Sequence, residues 1–415
     1  MESYESERLS AAQTAAMRRS MATGRGALSR RSLLRASGAG VFAAGGAGLL
    51  GACGIPPAKR ENGAAASDDH SDTEKRLTFS NWTEYMDTSE DGKTRPTLAA
   101  FTKRTGIAVK YTEDINDNVE FFGKIQPQLA AGQDTGRDLI NVTDWLAARM
   151  IRLGWVQKLD ASLLPHAYAN LSQQFRSPDW DPGRAYSYPW TGIPAVIAYN
   201  VKATGGRKVD SMTQLLDDPT LKGRVSLLTE MRDTVGLTLL DMGKSPEKVT
   251  DADYDAAIGR LQKAVDKKQI RRFTGNDYTS DLDKGDIAAC VAWAGDLIQL
   301  QAGNPDIRFS VPAAGYMTAT DNLLVPAQAR HRKNATRLID YYYELPVAAQ
   351  LAAYINYVTP VAGVAPELAK IDPELAKNPL IIPDEAMAAK SHSFRSLSSE
   401  EETAYEEKFA KLIGA

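Results

Sequence analysis

The sequence contains few of the residues from which metal sites and disulfide frameworks are built. Its 415 residues include only four histidines and two cysteines. The histidines lie far apart along the chain, at His70, His166, His331 and His392. Zinc hydrolase motifs need histidine pairs at helical spacing, so the sequence argues against this class of enzyme. We expect neither a resident metal nor a disulfide scaffold.

Long apolar and long basic runs are also missing. No stretch reaches the roughly 20 consecutive strongly apolar residues that span a bilayer. The formal net charge is −3 without a basic run, which argues against a nucleic-acid partner. At 43% hydrophobic and 24% charged residues, the composition is that of a globular protein able to bury a core.

Common enzyme motifs are absent as well. A phosphate-binding loop that ends at Gly243-Lys244-Ser245 would need a glycine where Thr238 stands. No Gly-x-Ser-x-Gly elbow accompanies a suitable histidine. We therefore expect no cofactor and no enzymatic activity. The sequence is rich in acidic residues, so a pair of carboxylates of the kind that glycosidases use stays open as an alternative.

The first 53 residues predict an export signal with a lipid attachment site. Ser29–Arg35 resembles the twin-arginine signal, and the glycine-rich, weakly apolar stretch 36–52 suits the core of a cleavable signal peptide. This stretch ends in Leu50-Gly51-Ala52-Cys53, which is similar to the lipobox of bacterial lipoproteins. In that motif the cysteine thiol accepts a diacylglyceryl group. We expect lipidation at Cys53 and an extracytoplasmic, membrane-anchored protein, the alternative being an unlipidated signal peptide.

Two further predictions concern the tether and the second cysteine. Residues 54–75 are rich in Pro, Ala, Ser, Asp and Gly and predict a flexible tether between the lipid and the folded part. Cys290 lies in the apolar run Ile287–Trp293, which favours a buried and inert thiol.

From Arg76 onward the hydrophobic period alternates between two and 3.6 residues, which is typical of an α/β fold with mostly parallel sheets. Several helix ends carry capping signals, among them Thr250 and a Ser399/Glu402 pair. The predicted strands cover 77–82, 107–112, 138–142, 192–200, 223–228, 287–293, 307–311 and 322–325, and the predicted helices include 96–105, 145–153, 346–356 and 399–413.

The segment Arg76–Tyr85, running into Asn-Trp-Thr-Glu-Tyr, resembles the spermidine/putrescine-binding proteins of bacterial ABC importers. The resemblance covers roughly residues 76–350 and continues beyond. It rests on the shared order of further segments, namely Thr105–Ile107, Asp138–Ile140, Glu230–Asp233, Trp293–Asp296, Asp321–Pro326, Gln350 and Tyr357–Pro360.

The resemblance implies a type II periplasmic-binding-protein fold, in which two discontinuous α/β lobes hold a ligand in the cleft between them. The first lobe would comprise residues 76–196 and 294–330, and the second lobe 197–293 and 331–415. It also implies the partners: a small polyamine ligand and the permease subunits of an ABC transporter. We expect a monomer.

A polyamine needs carboxylates for its ammonium groups and an apolar or aromatic wall for its methylene stem. By resemblance the walls are Trp82, Tyr85, Trp145 and Trp293. The charge partners are Glu230, Asp233, Asp296 and Asp321, and the further polar contacts are Thr83, Thr143 and Gln350. Each residue also has a structural interpretation: the tryptophans as core aromatics, Tyr85 as a loop cap, Glu230 and Asp233 as helix N-terminal acids, and Asp296 and Asp321 as turn residues.

The sequence departs from the family pattern at two of these positions. Trp145 stands where the polyamine-binding proteins usually have tyrosine. Ala319 stands two residues before the cleft aspartate, where the family generally has an aromatic residue. Tyr316 is a candidate replacement for that ring. The small alanine side chain either covers less of the ligand's methylene stem or leaves room for a bulkier ligand. A receptor for another small cationic or polar solute therefore stays open as an alternative.

Overall fold

The computed structural model describes residues 68–116 and 118–414. The predicted signal peptide, Cys53 and most of the predicted tether lie outside these residues. In the described part of the chain, no helix combines the length and the apolar character that crossing a membrane requires.

The elements follow the predicted alternation of strands and helices. The strands are β1 (Arg76–Trp82), β2 (Ala108–Ile115), β3 (Leu139–Thr143), β4 (Ser187–Asn200), β5 (Val225–Leu228), β6 (Ile270–Thr274), β7 (Ala289–Trp293), β8 (Ile307–Ser310), β9 (Tyr316–Leu324) and β10 (Ser391–His392). The helices are α1 (Pro96–Thr105), α2 (Asn118–Ala130), α3 (Asp144–Arg152), α4 (Pro165–Asn170), α5 (Met212–Asp217), α6 (Met231–Asp241), α7 (Asp251–Asp266), α8 (Tyr278–Lys284), α9 (Ala294–Gly303), α10 (Arg332–Tyr342), α11 (Leu345–Ile355), α12 (Ala365–Ile371), α13 (Glu385–Ala388) and α14 (Ser399–Ile413). Short 3₁₀ turns include His70–Asp72, Ala161–Leu163, Gln173–Phe175, Pro219–Leu221, Pro246–Lys248 and Leu375–Lys377.

Local signals set many of these boundaries. α1 begins with Pro96 in its first turn and ends at Gly106, whose φ of 73° requires the left-handed region that glycine tolerates. Thr250 and Asp253 form the capping box of α7. The predicted cap of α14 was wrong by one residue, because Ser398 and Glu401 form the capping box. This shift leaves Glu402 free for a different role.

The strands form one sheet with the order β2-β1-β3-β9-β4-β7-β5-β6, with β8 beside β4 and β10 beside β9. β1 pairs in parallel with β2 and β3, and β5 pairs in parallel with β6 and β7. The two long central strands, β4 and β9, are antiparallel to each other and to β3, β7 and β8. The predicted α/β class is confirmed, whereas parallel pairing dominates only at the two flanks.

The β4–β9 pair joins two lobes. The first lobe comprises β1–β3, α1–α4 and α10–α12, and the second lobe comprises β5–β8, α5–α9 and α14. Apolar side chains form one core that runs through both lobes and a smaller cluster between β3, α2 and α3. Cys290 is fully buried in the second lobe, and this burial raises the pKa of its thiol well above the usual range, as expected for an inert thiol.

The packing divides the chain differently from the expected lobe boundaries. α10 and α11 pack on the first lobe, where Tyr342 hydrogen-bonds Thr97 and Arg104 pairs with Glu344 at 2.6 Å. α9 and β8 pack on β4 in the second lobe. The reason is the crossing pair: β4 and β9 each run through both lobes, so the chain changes lobe within these strands.

The last residues of the predicted tether belong to the folded body. Asp69 caps the turn His70–Asp72, and Ser71 is fully buried. Ser71 Oγ accepts a hydrogen bond from the backbone N–H of Asn334 at 3.2 Å, and Glu74 lies 3.1 Å from His331 Nε2. The segment from Asp69 onward therefore belongs to the folded body and not to the predicted tether, because these contacts fix it on α10.

Candidate functional site

The predicted site residues lie where strands of both lobes end beside the crossing strand β9. Trp82 ends β1, Thr143 ends β3 and Trp293 ends β7. Asp321 lies on β9 directly opposite Thr143. Open α/β sheets bind ligands at the carboxyl ends of their strands, so this arrangement forms a candidate cleft between the lobes.

The Asp321 carboxyl forms the centre of the first-lobe side. Its Oδ1 accepts a hydrogen bond from Thr143 Oγ1 at 2.8 Å, and the Tyr85 hydroxyl also bonds to the carboxyl. Thr143 is held in turn by Asn118 Nδ2 at 2.8 Å. Asp321 is 2% exposed, and this burial raises its pKa to about 7. These hydrogen bonds orient the carboxyl without supplying a positive charge.

Aromatic rings continue from Asp321 toward the second lobe. The Tyr85 ring centroid lies 6.5 Å from that of Trp82 and 5.6 Å from that of Tyr357. The Tyr357 ring packs on Gly295, where an added Cβ would overlap the ring, so only glycine fits this close approach. The rings thus form a continuous wall between the two lobes.

Asp296 is the carboxyl at the second-lobe end of this wall. Its Oδ2 accepts hydrogen bonds from the Tyr278 hydroxyl at 2.5 Å and from Asn276 Nδ2 at 2.9 Å. The Tyr357 hydroxyl is a third donor. Desolvation raises the pKa of Asp296 above its usual range, although these hydrogen bonds oppose the rise.

Asp233 is a further buried carboxyl of the cleft with a raised pKa. It lies in the first turn of α6, is 4% exposed and accepts a hydrogen bond from Trp293 Nε1 at 2.9 Å. Burial raises its pKa to about 8, and the negative charge of Glu230 adds to the shift. Glu230 itself caps α6 through the backbone N–H of Arg232 at 3.3 Å, which is the structural role weighed for it.

Asp144, which was not among the predicted site residues, adds a fourth carboxyl. It accepts hydrogen bonds from the backbone N–H groups of Trp145 at 2.7 Å and Thr320 at 3.3 Å. Desolvation raises its pKa, and the nearby Arg232 opposes this shift. Asp233, Asp296 and Asp321 form no ion pair with a described lysine, arginine or histidine.

Trp145 has a different environment from the other predicted walls. Two guanidinium groups of the chain itself lie close to its ring, with Arg149 at 5.1 Å and Arg232 at 5.0 Å from the ring centroid. Both arginines pair with Glu402 at 3.0 Å. Part of the cation-binding surface of Trp145 is therefore already used within the protein.

Two predicted residues lie at the periphery. Thr83 is exposed, and its Oγ1 lies 3.5 Å from Asn116 Oδ1. Gln350 Nε2 donates to Asp87 Oδ2 at 3.2 Å, and Asp87 caps the N-terminus of α1 through Thr97. Thr83 and Gln350 thus form these hydrogen bonds with residues other than the four cleft carboxyls.

Sequence reasoning missed Asp144, Asn276, Tyr278 and Tyr357. Asp144 stands between the predicted Thr143 and Trp145, and Tyr357 opens a segment that carried the resemblance, so both had a detectable signal. Asn276 and Tyr278 had none, because only folding brings them to Asp296. The carboxyls are spread along the cleft, and the described residues contain no cluster of three or more His, Cys, Asp or Glu that could hold a metal.

Comparisons with known proteins identify the family of this chain. Residues 97–383 match the model of the bacterial extracellular solute-binding proteins. The chain belongs to this family. It is 28% identical to the spermidine/putrescine-binding periplasmic protein of Escherichia coli over 83% of this chain and 93% of that protein. It is 29% identical to the putrescine-binding periplasmic protein PotF of the same organism, over 76% of this chain and 85% of PotF.

The solved structures agree on the fold. The substrate-binding protein PotD of Streptococcus pneumoniae superposes with a TM-score of 0.69 at 21% identity, covering 81% of this chain and 98% of PotD. The predicted two-lobed periplasmic-binding-protein fold is confirmed by this similarity. Family membership also agrees with the expectation of a solute-binding protein.

In this solute-binding protein, Tyr316 does not replace the ring missing at Ala319. Residues three positions apart on a strand face opposite sides, and Tyr316 is 2% exposed, with its hydroxyl near Ser391. Ala319 instead lines a cavity of about 460 Å³ that also touches Asp144, Trp145 and Asp233. The small alanine side chain therefore borders space that a larger side chain would occupy.

Proposed function

We propose that this protein captures a polyamine outside the cytoplasm and delivers it to the permease subunits of an ABC importer. The observation that carries the proposal is the set of cleft carboxyls without a cationic partner among the described residues, at Asp233, Asp296 and Asp321. A buried carboxylate is costly unless a positive charge neutralises it. A ligand with several ammonium groups supplies that charge.

The spacing of the carboxyls favours an extended organic cation over a metal ion. Asp321 lies on β9 and Asp296 on α9, with the Tyr85 and Tyr357 rings between them. Aromatic faces cover a methylene stem and attract its cationic ends, worth about 0.5–2 kcal/mol for each contact. In this arrangement Trp82, Tyr85, Trp293 and Tyr357 are the walls.

Names of relatives support the same ligand class. The two curated relatives described above are named for spermidine and putrescine. The further assignments are part of this proposal: lipid attachment at Cys53, a twin-arginine signal peptide, a monomer, and residence on the outer side of the cytoplasmic membrane.

A ligand panel tests the proposal. The mature protein would be heated with putrescine, spermidine, sugars, amino acids and divalent metal ions in turn. A ligand present at 100 times its dissociation constant should stabilise the folded state by about 2.7 kcal/mol. We expect a shift with the polyamines only. A shift with another solute, or turnover of a panel compound, would replace the proposal with the corresponding receptor or enzyme.

A separate experiment tests the anchor. Two acyl chains are needed for stable membrane retention, because a single chain binds only marginally. We expect Cys53→Ala to move the protein from the membrane fraction to the soluble fraction, and the wild type to carry the mass of a diacylglyceryl group. Retention of the variant together with an unmodified wild-type mass would contradict lipidation.

A further inference from the structure

The cavity beside Ala319 contains chemistry that a simple diamine does not use. Its volume of about 460 Å³ is within the range of pockets that hold drug-sized ligands. Its lining includes Asp144, Asp233, Ala319, Trp180, Phe394 and Arg184.

Arg184 differs from the other arginines that line the cavity. It is 5% exposed, donates from Nε to the Phe175 carbonyl at 2.7 Å, and donates from Nη1 to Ser187 and Asn322 at 3.1 and 3.0 Å. Its Nη2 group makes no hydrogen bond to a described residue, and none of these acceptors carries a charge. Burial lowers the pKa of Arg184 to about 10, so the group stays cationic at neutral pH.

The other arginines of the cavity lining have acidic partners. Arg395 pairs with Glu401 at 2.7 Å, and Arg232 and Arg152 pair with Glu402 at 3.0 and 3.5 Å. Arg184 forms no such pair within the described residues, although the charges of Asp181 and Asp144 both act to raise its pKa and its guanidinium lies 5.3 Å from the Trp180 ring centroid. The cavity lining thus combines carboxyls that form no ion pair within the described residues with an incompletely bonded guanidinium.

We propose that the ligand is an amine whose other end carries an acyl oxygen, with the ammonium at Asp233 and the oxygen at Arg184. This inference rests on the proposed function and names the ligand class of the same cleft more narrowly. Both a neutral N-acyl polyamine and an ω-amino carboxylate fit this chemistry. A hydrogen bond from a buried guanidinium distinguishes an acyl oxygen from a methylene group of equal size.

Calorimetric titration with matched compounds tests the inference. Putrescine, N-acetylputrescine, octylamine and 4-aminobutanoate would be titrated into the same protein. N-acetylputrescine and octylamine each carry one ammonium and have the same number of non-hydrogen atoms, so their ratio reports the acyl group without a change of charge. We expect N-acetylputrescine or 4-aminobutanoate to bind at least tenfold more tightly than octylamine. Which of the two oxygen-bearing compounds binds more tightly shows whether the site prefers the neutral amide or the carboxylate.

Three variants make the result specific to this cavity. Ala319→Tyr narrows the space and should lower the ratio of N-acetylputrescine to putrescine affinity at least tenfold, whereas Ala319→Ser preserves the volume and should leave that ratio within threefold. Arg184→Lys keeps the charge but removes the forked donor, and should reduce the preference for the acyl oxygen.

The outcomes separate this inference from the proposed function. If putrescine or spermidine binds but neither oxygen-bearing compound binds more tightly than octylamine, the acyl inference is wrong and the polyamine function stands. If no amine of the set binds, the proposed function itself fails. A preference for the acyl oxygen that Ala319→Tyr leaves unchanged would place that oxygen outside this cavity and overturn the assignment.

Discussion

Glu402 and Asp233 are buried to the same degree, yet they are neutralised in opposite ways. The Glu402 side chain is 5% exposed and receives three guanidinium groups, from Arg149, Arg152 and Arg232. Asp233 is 4% exposed, and the hydrogen bond recorded for its carboxyl comes from the neutral Trp293 Nε1. Its pKa accordingly rises to about 8. Glu402 is neutralised by arginines of the protein, whereas Asp233 has no ion-pair partner among the described residues and is the carboxyl that we propose for a cationic ligand.

The difference indicates what each region does. Glu402 lies on α14 of the second lobe, while Arg149 and Arg152 lie on α3 of the first lobe, so their ion pairs connect the lobes beside the cleft. Asp233 contributes little to such a connection, because its partner Trp293 belongs to the same lobe. In our proposal, lobe-to-lobe contact and ligand capture therefore use different carboxylates. Five predictions test this separation.

Glu402→Gln should produce the largest effect. Removing one partner of a buried ion pair typically destabilises a protein by about 3–5 kcal/mol, since the remaining charges lose their counterion. Arg149 and Arg232, which both lie near the Trp145 ring, would then lose the counterion that they share. Denaturant unfolding would measure the change, with the exposed Glu400→Gln of the same helix as the control. A loss below 1 kcal/mol would show that the arginines find other partners.

Asp296→Ala should act on affinity instead of folding. Truncating one side of a buried charge pair costs about 2–5 kcal/mol, or roughly 30- to several-thousand-fold in affinity. Titration with putrescine and spermidine measures this, and Glu407→Ala on the exposed side of α14 controls for loss of one negative charge. A change under threefold with either polyamine would reduce Asp296 to a structural residue that orders Tyr278 and Asn276.

Polyamine affinity should rise with pH between about 6 and 8. In the free protein Asp233 and Asp321, with pKa values of about 8 and 7, retain protons that an incoming ammonium displaces. Each proton released on binding can raise affinity up to about tenfold for each pH unit below the pKa of that group. Calorimetry in buffers of different ionisation enthalpy counts these protons. Binding that is independent of pH, with no proton release, would mean that both carboxyls are already ionised.

The stability of the ligand-free protein should change with pH in the opposite direction. The pKa of Asp233 is raised from 3.8 in the unfolded chain to about 8 in the folded protein. The folded state thus binds the extra proton between these values, and the contribution of Asp233 to stability falls as pH rises from about 4 to 8. Asp233→Asn should flatten this part of the profile. An unchanged slope in the variant would assign the dependence to other groups.

Trp293→Phe should produce the smallest effect. The change removes the Nε1–H donor to Asp233 while it keeps an aromatic wall. A single hydrogen bond contributes about 0.5–1.5 kcal/mol to stability. Because this bond lowers the pKa of Asp233, its loss should shift the pH profile of binding to higher pH. A profile that stays in place would indicate that Trp293 acts only as a wall.

Local features of the sequence determined much of the secondary structure. α1 spans 96–105, between Pro96 and Gly106, as predicted, and β1 begins at Arg76, one residue before its predicted start. These boundaries depend on hydrophobic period, proline and glycine, which act within a few residues. The resemblance at Trp82, Asp233, Trp293 and Asp321 also located four groups that the structure brings to the cleft. The same period of two would have placed Tyr316 and Ala319 on opposite faces of β9.

Tertiary structure decided the features that depend on distant segments. Asn276 and Tyr278 reach Asp296 only through folding, and Arg184 reaches the cavity beside Ala319 from a different part of the chain. The lobe membership of α9–α11 follows from the crossing of β4 and β9, which no local period encodes. A shift of one residue in the cap of α14 turned Glu402 from an expected capping group into the partner of three arginines. The sequence alone determined where the carboxylates stand along the chain, whereas burial and the placement of counterions, both set by the fold, decided which of them remain free for a ligand.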